Sequence, residues 1–140
     1  MLFGPFRRRL ALVTSAALTS VLWWGVPPAH AAFTSTDSCS AGYFTGFIRV
    51  TTEQSFSVPT KVLRIEYRIV RNGSGGNKAN VNWADYAVAP TKTAGTGNGI
   101  QDGSWHTLLE QDYNRGSGNA TFKFDFDKSG SDPECGETFL

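Results

Sequence analysis

Period-two alternation constrains this chain more than any other feature. Over residues 61–71, Leu63, Ile65, Tyr67 and Ile69 fall on one side of an extended backbone, and Arg64, Glu66 and Arg68 on the other. Residues 120–127 repeat the pattern, with Phe122, Phe124 and Phe126 on one side and Thr121, Lys123, Asp125 and Asp127 on the other. Each such strand buries one face against a core and wets the other, as in antiparallel sheets. No stretch after the first 31 residues carries a convincing helical period, so the chain reads as all-β.

Other segments fit the same class less cleanly. Residues 43–52 read as an early strand through Phe44, Phe47, Ile48 and Val50. Residues 79–89 place Val81 and Trp83 on one face and Tyr86 and Val88 on the other, and residues 104–112 mix Trp105, Leu108 and Leu109. A short strand is expected at residues 54–58, before Pro59, and an edge strand at residues 137–140. The runs Asn72-Gly-Ser-Gly-Gly-Asn77 and Asn114-Arg-Gly-Ser-Gly-Asn119 have turn chemistry. Residues 90–103 read as one long, polar, Gly-rich loop. The expectation is a small antiparallel β-sandwich of six or seven strands, immunoglobulin-like or Greek-key, with a small barrel as the alternative.

The first 31 residues have the order of a secretory signal peptide. Arg7, Arg8 and Arg9 precede an apolar run from Leu10 to Trp24, Pro27 and Pro28 break it, and Ala29-His30-Ala31 supplies small residues for cleavage. The apolar run is shorter than the roughly 18 residues of a membrane span and contains Thr14, Ser15, Thr19 and Ser20. The double arginine leaves Sec and twin-arginine export both open. Residues 32–140 are then one secreted domain with no membrane attachment after cleavage.

Removing that leader takes away three of the 13 basic residues and none of the 12 acidic ones, so the remainder carries a net charge of −2. No polybasic tract is left to hold a nucleic-acid backbone or a membrane surface. Cys39 and Cys135, one near each end of this domain, are expected to form a single disulfide in an oxidising compartment. It would close a loop of 96 residue steps.

Catalytic chemistry finds little material. His106 is the one histidine outside the leader. Asp102, Ser104 and His106 lie close in sequence, yet residues two apart on a strand stand roughly 6–7 Å apart, and no G-x-S-x-G turn accompanies them. One histidine and two disulfide-bound cysteines provide no zinc set. Asp125-Phe-Asp127-Lys-Ser129-Gly130 matches the opening of a calcium loop, D-x-D-x-S-G, so Asp125, Asp127 and Ser129 are candidate calcium ligands. The twelfth position is Gly136 where a glutamate is needed, and the plainer reading is the solvent face of a strand followed by a polar turn. No other cofactor is expected. The runs GSGG and GTGNG open no helix and read as loops, not phosphate cradles. Asn72 and Asn119 begin glycosylation sequons.

Trp83, Tyr86, Trp105 and Tyr113 cannot all face one core if neighbouring strands alternate, so some of these rings should be exposed. Exposed rings stack on sugars or anchor protein partners. The segment Asp102-Gly-Ser-Trp-His-Thr-Leu108 resembles the D-G-x-W-H strand opening of laminin-G-like and related lectin-type sandwiches. The resemblance implies a lectin-like sandwich in which Trp105 is chiefly a packing residue.

Two functions follow as expectations, with a small secreted hydrolase as a distant third. The first is a secreted, non-enzymatic interaction module that docks to another extracellular protein as an adaptor subunit or an inhibitor. Its arm, residues 32–38, would add as a strand to the partner's sheet, with Phe33 as anchor. The second is a carbohydrate-binding module that uses Trp83, Tyr86, Trp105 or Tyr113 as glycan platforms, with or without calcium at Asp125 and Asp127.

Overall fold

A computed structural model describes residues 31–139. The leader assigned to residues 1–31 lies almost wholly outside them. Among the described residues the chain is all-β, with nine strands in two antiparallel sheets and no helix. The first sheet orders β1 (Phe33–Ala41), β2 (Phe44–Thr52), β3 (Thr60–Arg71) and β6 (Trp105–Leu109), with β7 (Tyr113–Arg115) also paired to β3. The second orders β5 (Lys92–Gly99), β4 (Ala79–Asp85), β8 (Ala120–Asp125) and β9 (Glu134–Phe139).

The alternating segments form the inner faces. Ile48 and Val50 of β2, Ile65 and Ile69 of β3, Val81 and Trp83 of β4, and Phe122 and Phe124 of β8 are all buried. Phe126, just past β8, stacks on Phe44 of the first sheet with ring centres 5.0 Å apart. Gly46 makes this closeness possible. A Cβ there would lie 2.5 Å from the Phe124 ring, so any larger residue in mid-β2 would push the sheets apart. The Cys39–Cys135 disulfide forms as expected and ties β1 to β9, one edge of each sheet.

The structure exceeds the expected six or seven strands because two strands carry no apolar alternation. The arm at residues 32–38 is not a free segment: from Phe33 onward it lies in β1, paired with β2 from Phe33↔Thr52 to Ala41↔Phe44 through a two-residue turn at Gly42 and Tyr43. Gly42 has φ +59°, which the tight turn requires. Residues 92–99, read as part of a loop, are β5, paired with β4 from Asp85↔Lys92 to Ala79↔Gly99. The GTGNG run therefore lies in a strand. In both cases backbone pairing to a hydrophobic neighbour makes the strand, and side-chain pattern contributes little.

Residues 54–58 are turns, not a strand, and Phe56 drops from them into the core against Phe139, ring centres 4.8 Å apart. The strand expected at residues 79–89 ends at Asp85, and the final strand begins at Glu134, earlier than the sequence suggested. The 104–112 segment divides into β6 and the start of the β7 connection.

Below the core, Asp85 and Arg115 form a fully buried ion pair. Arg115 Nε donates to Asp85 Oδ2 at 2.8 Å, its other nitrogens donate to the carbonyls of Phe56 and Gly118, and its guanidinium covers the Phe56 ring. The Tyr113 hydroxyl donates to the same carboxylate at 3.0 Å. This network fastens β4, β7 and the 54–58 turn together.

Candidate functional site

With the inner faces filled, the outer faces of the two sheets are what the fold presents. Strand register determines which outward residues become neighbours. Across the first sheet, Ser38, Phe47, Arg68 and Trp105 form one row from β1 to β6. Thr36, Arg49, Glu66 and Thr107 form the next. Arg64 of β3 follows, beside Thr51.

These side chains interlock. The Arg49 guanidinium lies 4.0 Å from the centre of the Trp105 indole, and its Nε donates to Glu66 Oε2 at 2.9 Å. Phe47 meets Trp105 edge-on at 6.5 Å, and Arg68 reaches over Phe47 while its Nε donates to the Gly103 carbonyl at 2.6 Å. Arg64 extends toward the second Glu66 oxygen, 4.0 Å away. Three arginines against one glutamate make this face basic within a net-acidic domain.

The second sheet presents a different surface. Gly95, Asn82, Lys123 and Gly136 form the middle row of its outer face. Thr93, Ala84, Thr121 and Thr138 form the adjacent row. Small side chains, with glycine on both outer strands, leave a groove of about 830 Å³. Lys123 Nζ lies 2.6 Å from Glu134 Oε2 and 3.2 Å from Asp125 Oδ1. The Glu134 carboxylate beside it, then Asp125, hold the Lys123 ammonium above its ordinary pKa, and Lys123 in turn lowers Glu134.

The four rings singled out from sequence do not share a face. Trp83 is 2% exposed and faces the core, its ring 5.3 Å from Phe139, so it is not available as a platform. Tyr86 is 60% exposed in the turn after β4. Tyr113 is half-buried above Asp85, and burial, then the Asp85 carboxylate, push its hydroxyl well above the usual tyrosine range. Trp105 lies on the outer face beneath Arg49, outside the core. Phe33 is 51% exposed at the start of β1.

Asp125, Asp127 and Ser129 diverge. Asp125 points to Lys123, Asp127 Oδ2 accepts from the Lys78 backbone N–H at 3.0 Å, and Ser129 lies in an exposed turn. Among the described residues no three His, Cys, Asp or Glu side chains converge. Asp102 and His106 do meet, with Nε2 and Oδ1 2.9 Å apart. The spacing argument missed this because Asp102 precedes β6 in a turn where its Oδ1 also accepts from the Ser104 N–H at 2.8 Å. Ser104 enters only through its backbone; among the described residues no serine hydroxyl bonds to the imidazole. The His106 contact, then the Ser104 N–H, lowers the Asp102 pKa.

Sequence reasoning missed Phe47, Arg49 and Arg68. Strict alternation would have separated Phe47 from Ile48 and Val50 and placed it outside with Arg49. No family model, curated protein or solved structure matches this chain.

Proposed function

We propose that the chain is a secreted, non-enzymatic interaction module that docks to an acidic surface of another extracellular protein through the outer face of β2, β3 and β6. The observation that carries this reading is the cluster of Trp105, Phe47, Arg49 and Arg68 on an uncovered sheet face. Tryptophan and arginine dominate the energetic centres of protein interfaces. A rigid β-sheet holds them at low entropic cost.

Charge supports the same reading. The arginine excess gives a local positive field, which speeds encounter with an acidic partner and excludes basic ones. The leader pattern and the disulfide fit an extracellular setting, where such a partner would be met.

The test is affinity capture from the producing organism's culture supernatant with the wild-type protein and with Trp105→Ala and Arg68→Glu. The expected result is a stoichiometric partner with an acidic surface, retained by the wild type, lost with both variants and released by salt. No partner, or equal capture by the folded variants, overturns the proposal.

A further inference from the structure

The groove across the second sheet is chemically unlike the basic face. Its floor is the backbone of β4 and β8, already hydrogen-bonded on both sides, so it offers no open strand edge to an extended peptide. Its middle row is bare at both ends. A Cβ at Gly136 would lie 2.7 Å from the Phe122 carbonyl oxygen, and one at Gly95 2.9 Å from that of Val81, so the strands' pairing keeps these positions empty. Four strands give a width of about 14 Å.

Apart from Lys123, the functional groups along this floor are neutral donors and acceptors. The Asn82 amide makes no hydrogen bond among the described residues, and Thr93, Thr121 and Thr138 place hydroxyls along the next row. A hydroxyl both donates and accepts, and an amide does each with a different atom. The single cation, Lys123, is held by Glu134 and Asp125, and with Glu137 at the rim the surroundings are net negative. An anionic ligand is therefore disfavoured. The volume lies within the roughly 300–1,000 Å³ of small-ligand sites.

We propose that this groove binds a neutral, hydroxyl-rich ligand, a segment of linear glycan, through the Asn82 amide and the hydroxyls of Thr93, Thr121 and Thr138. The site is separate from the protein-docking face, so either assignment can fail without the other. It uses none of the four aromatic rings.

The test is a backbone-amide NMR titration of the protein expressed from its full chain with cellohexaose, laminarihexaose and chitohexaose. Dextran sulfate and hexalysine serve as charged comparators. At least one neutral hexasaccharide is expected to shift the amides of Asn82, Thr121 and Gly136 with a dissociation constant of about 1 mM or tighter. Asn82→Ala should weaken that binding about tenfold, the equivalent of about 1.4 kcal/mol. Thr121→Trp, which fills the groove from a solvent-facing position, should abolish it with the remaining spectrum intact. If Thr121→Trp does not fold, Asn82→Ala decides. Absence of binding by all three sugars, shifts confined to other surfaces, unchanged binding by Asn82→Ala, or groove shifts with a charged comparator alone would overturn the proposal.

Discussion

The guanidinium of Arg49 lies over Trp105, 4.0 Å from the indole centre, while its Nε donates to Glu66. The two residues sit on strands separated by β3, so the contact spans the sheet and organises the face between them. A double-mutant cycle with Arg49→Ala and Trp105→Ala should show coupling of about 0.5–1 kcal/mol at this partly exposed site. Equilibrium urea unfolding of the four proteins measures it.

Asp85 and Arg115 should dominate stability among the polar residues. Arg115→Ala would leave a buried, unpaired carboxylate, and a loss of about 3–5 kcal/mol is expected. Tyr113→Phe removes one hydrogen bond to that carboxylate and should cost about 1.5–3 kcal/mol, since the acceptor is charged. Denaturant midpoints for the two variants, at unchanged slope, check both figures.

Reducing the Cys39–Cys135 bridge releases a loop of 96 residue steps. A chain-entropy account gives a destabilisation of about 4–5 kcal/mol, with retained structure in the reduced unfolded chain lowering it. Unfolding with and without reductant gives the value, and no shift in the midpoint would contradict the account.

Gly46→Val should disrupt the seam between the sheets, because the Phe124 ring occupies the space of the new side chain. Overpacking of this kind costs about 1–3 kcal/mol. A thermal melt should show the loss, and Phe124→Leu in the same chain should recover part of it.

The Asp102 carboxyl should titrate below the ordinary aspartate value of 3.8, because His106 and the Ser104 N–H favour its charged form. A depressed folded-state pKa contributes stability above the unfolded value, and that contribution disappears as pH falls through the depressed one. Carboxyl NMR of the wild type and His106→Ala checks this. The variant's Asp102 should move back toward 3.8.

Much of the inner architecture was legible in one dimension. Alternation in β8, and in β3 from Ile65 onward, marks which side chains face the core, because a strand buried on one face needs apolar residues at every second position. Ahead of Ile65 the phase slips by one residue, so Val62 is buried and Leu63, expected inside, is not. The disulfide was equally readable, since the chain has two cysteines and so one intramolecular pairing. The chain order of apolar segments and turns therefore determined the class of fold and its staple.

Strands β1 and β5 were not legible, because backbone pairing to β2 and β4 makes them strands while their side chains are mostly serine, threonine and glycine. The surfaces were not legible either. Whether Trp105 joins Arg49, or Asn82 stands between Gly95 and Lys123, depends on which strands become neighbours and in what register. Burial records only the face a residue takes; lateral neighbours are chosen when the two sheets close on their common core. Trp83 and Trp105 show the difference, as similar residues on adjacent-looking segments, one sealed inside the second sheet and the other lying outside the first.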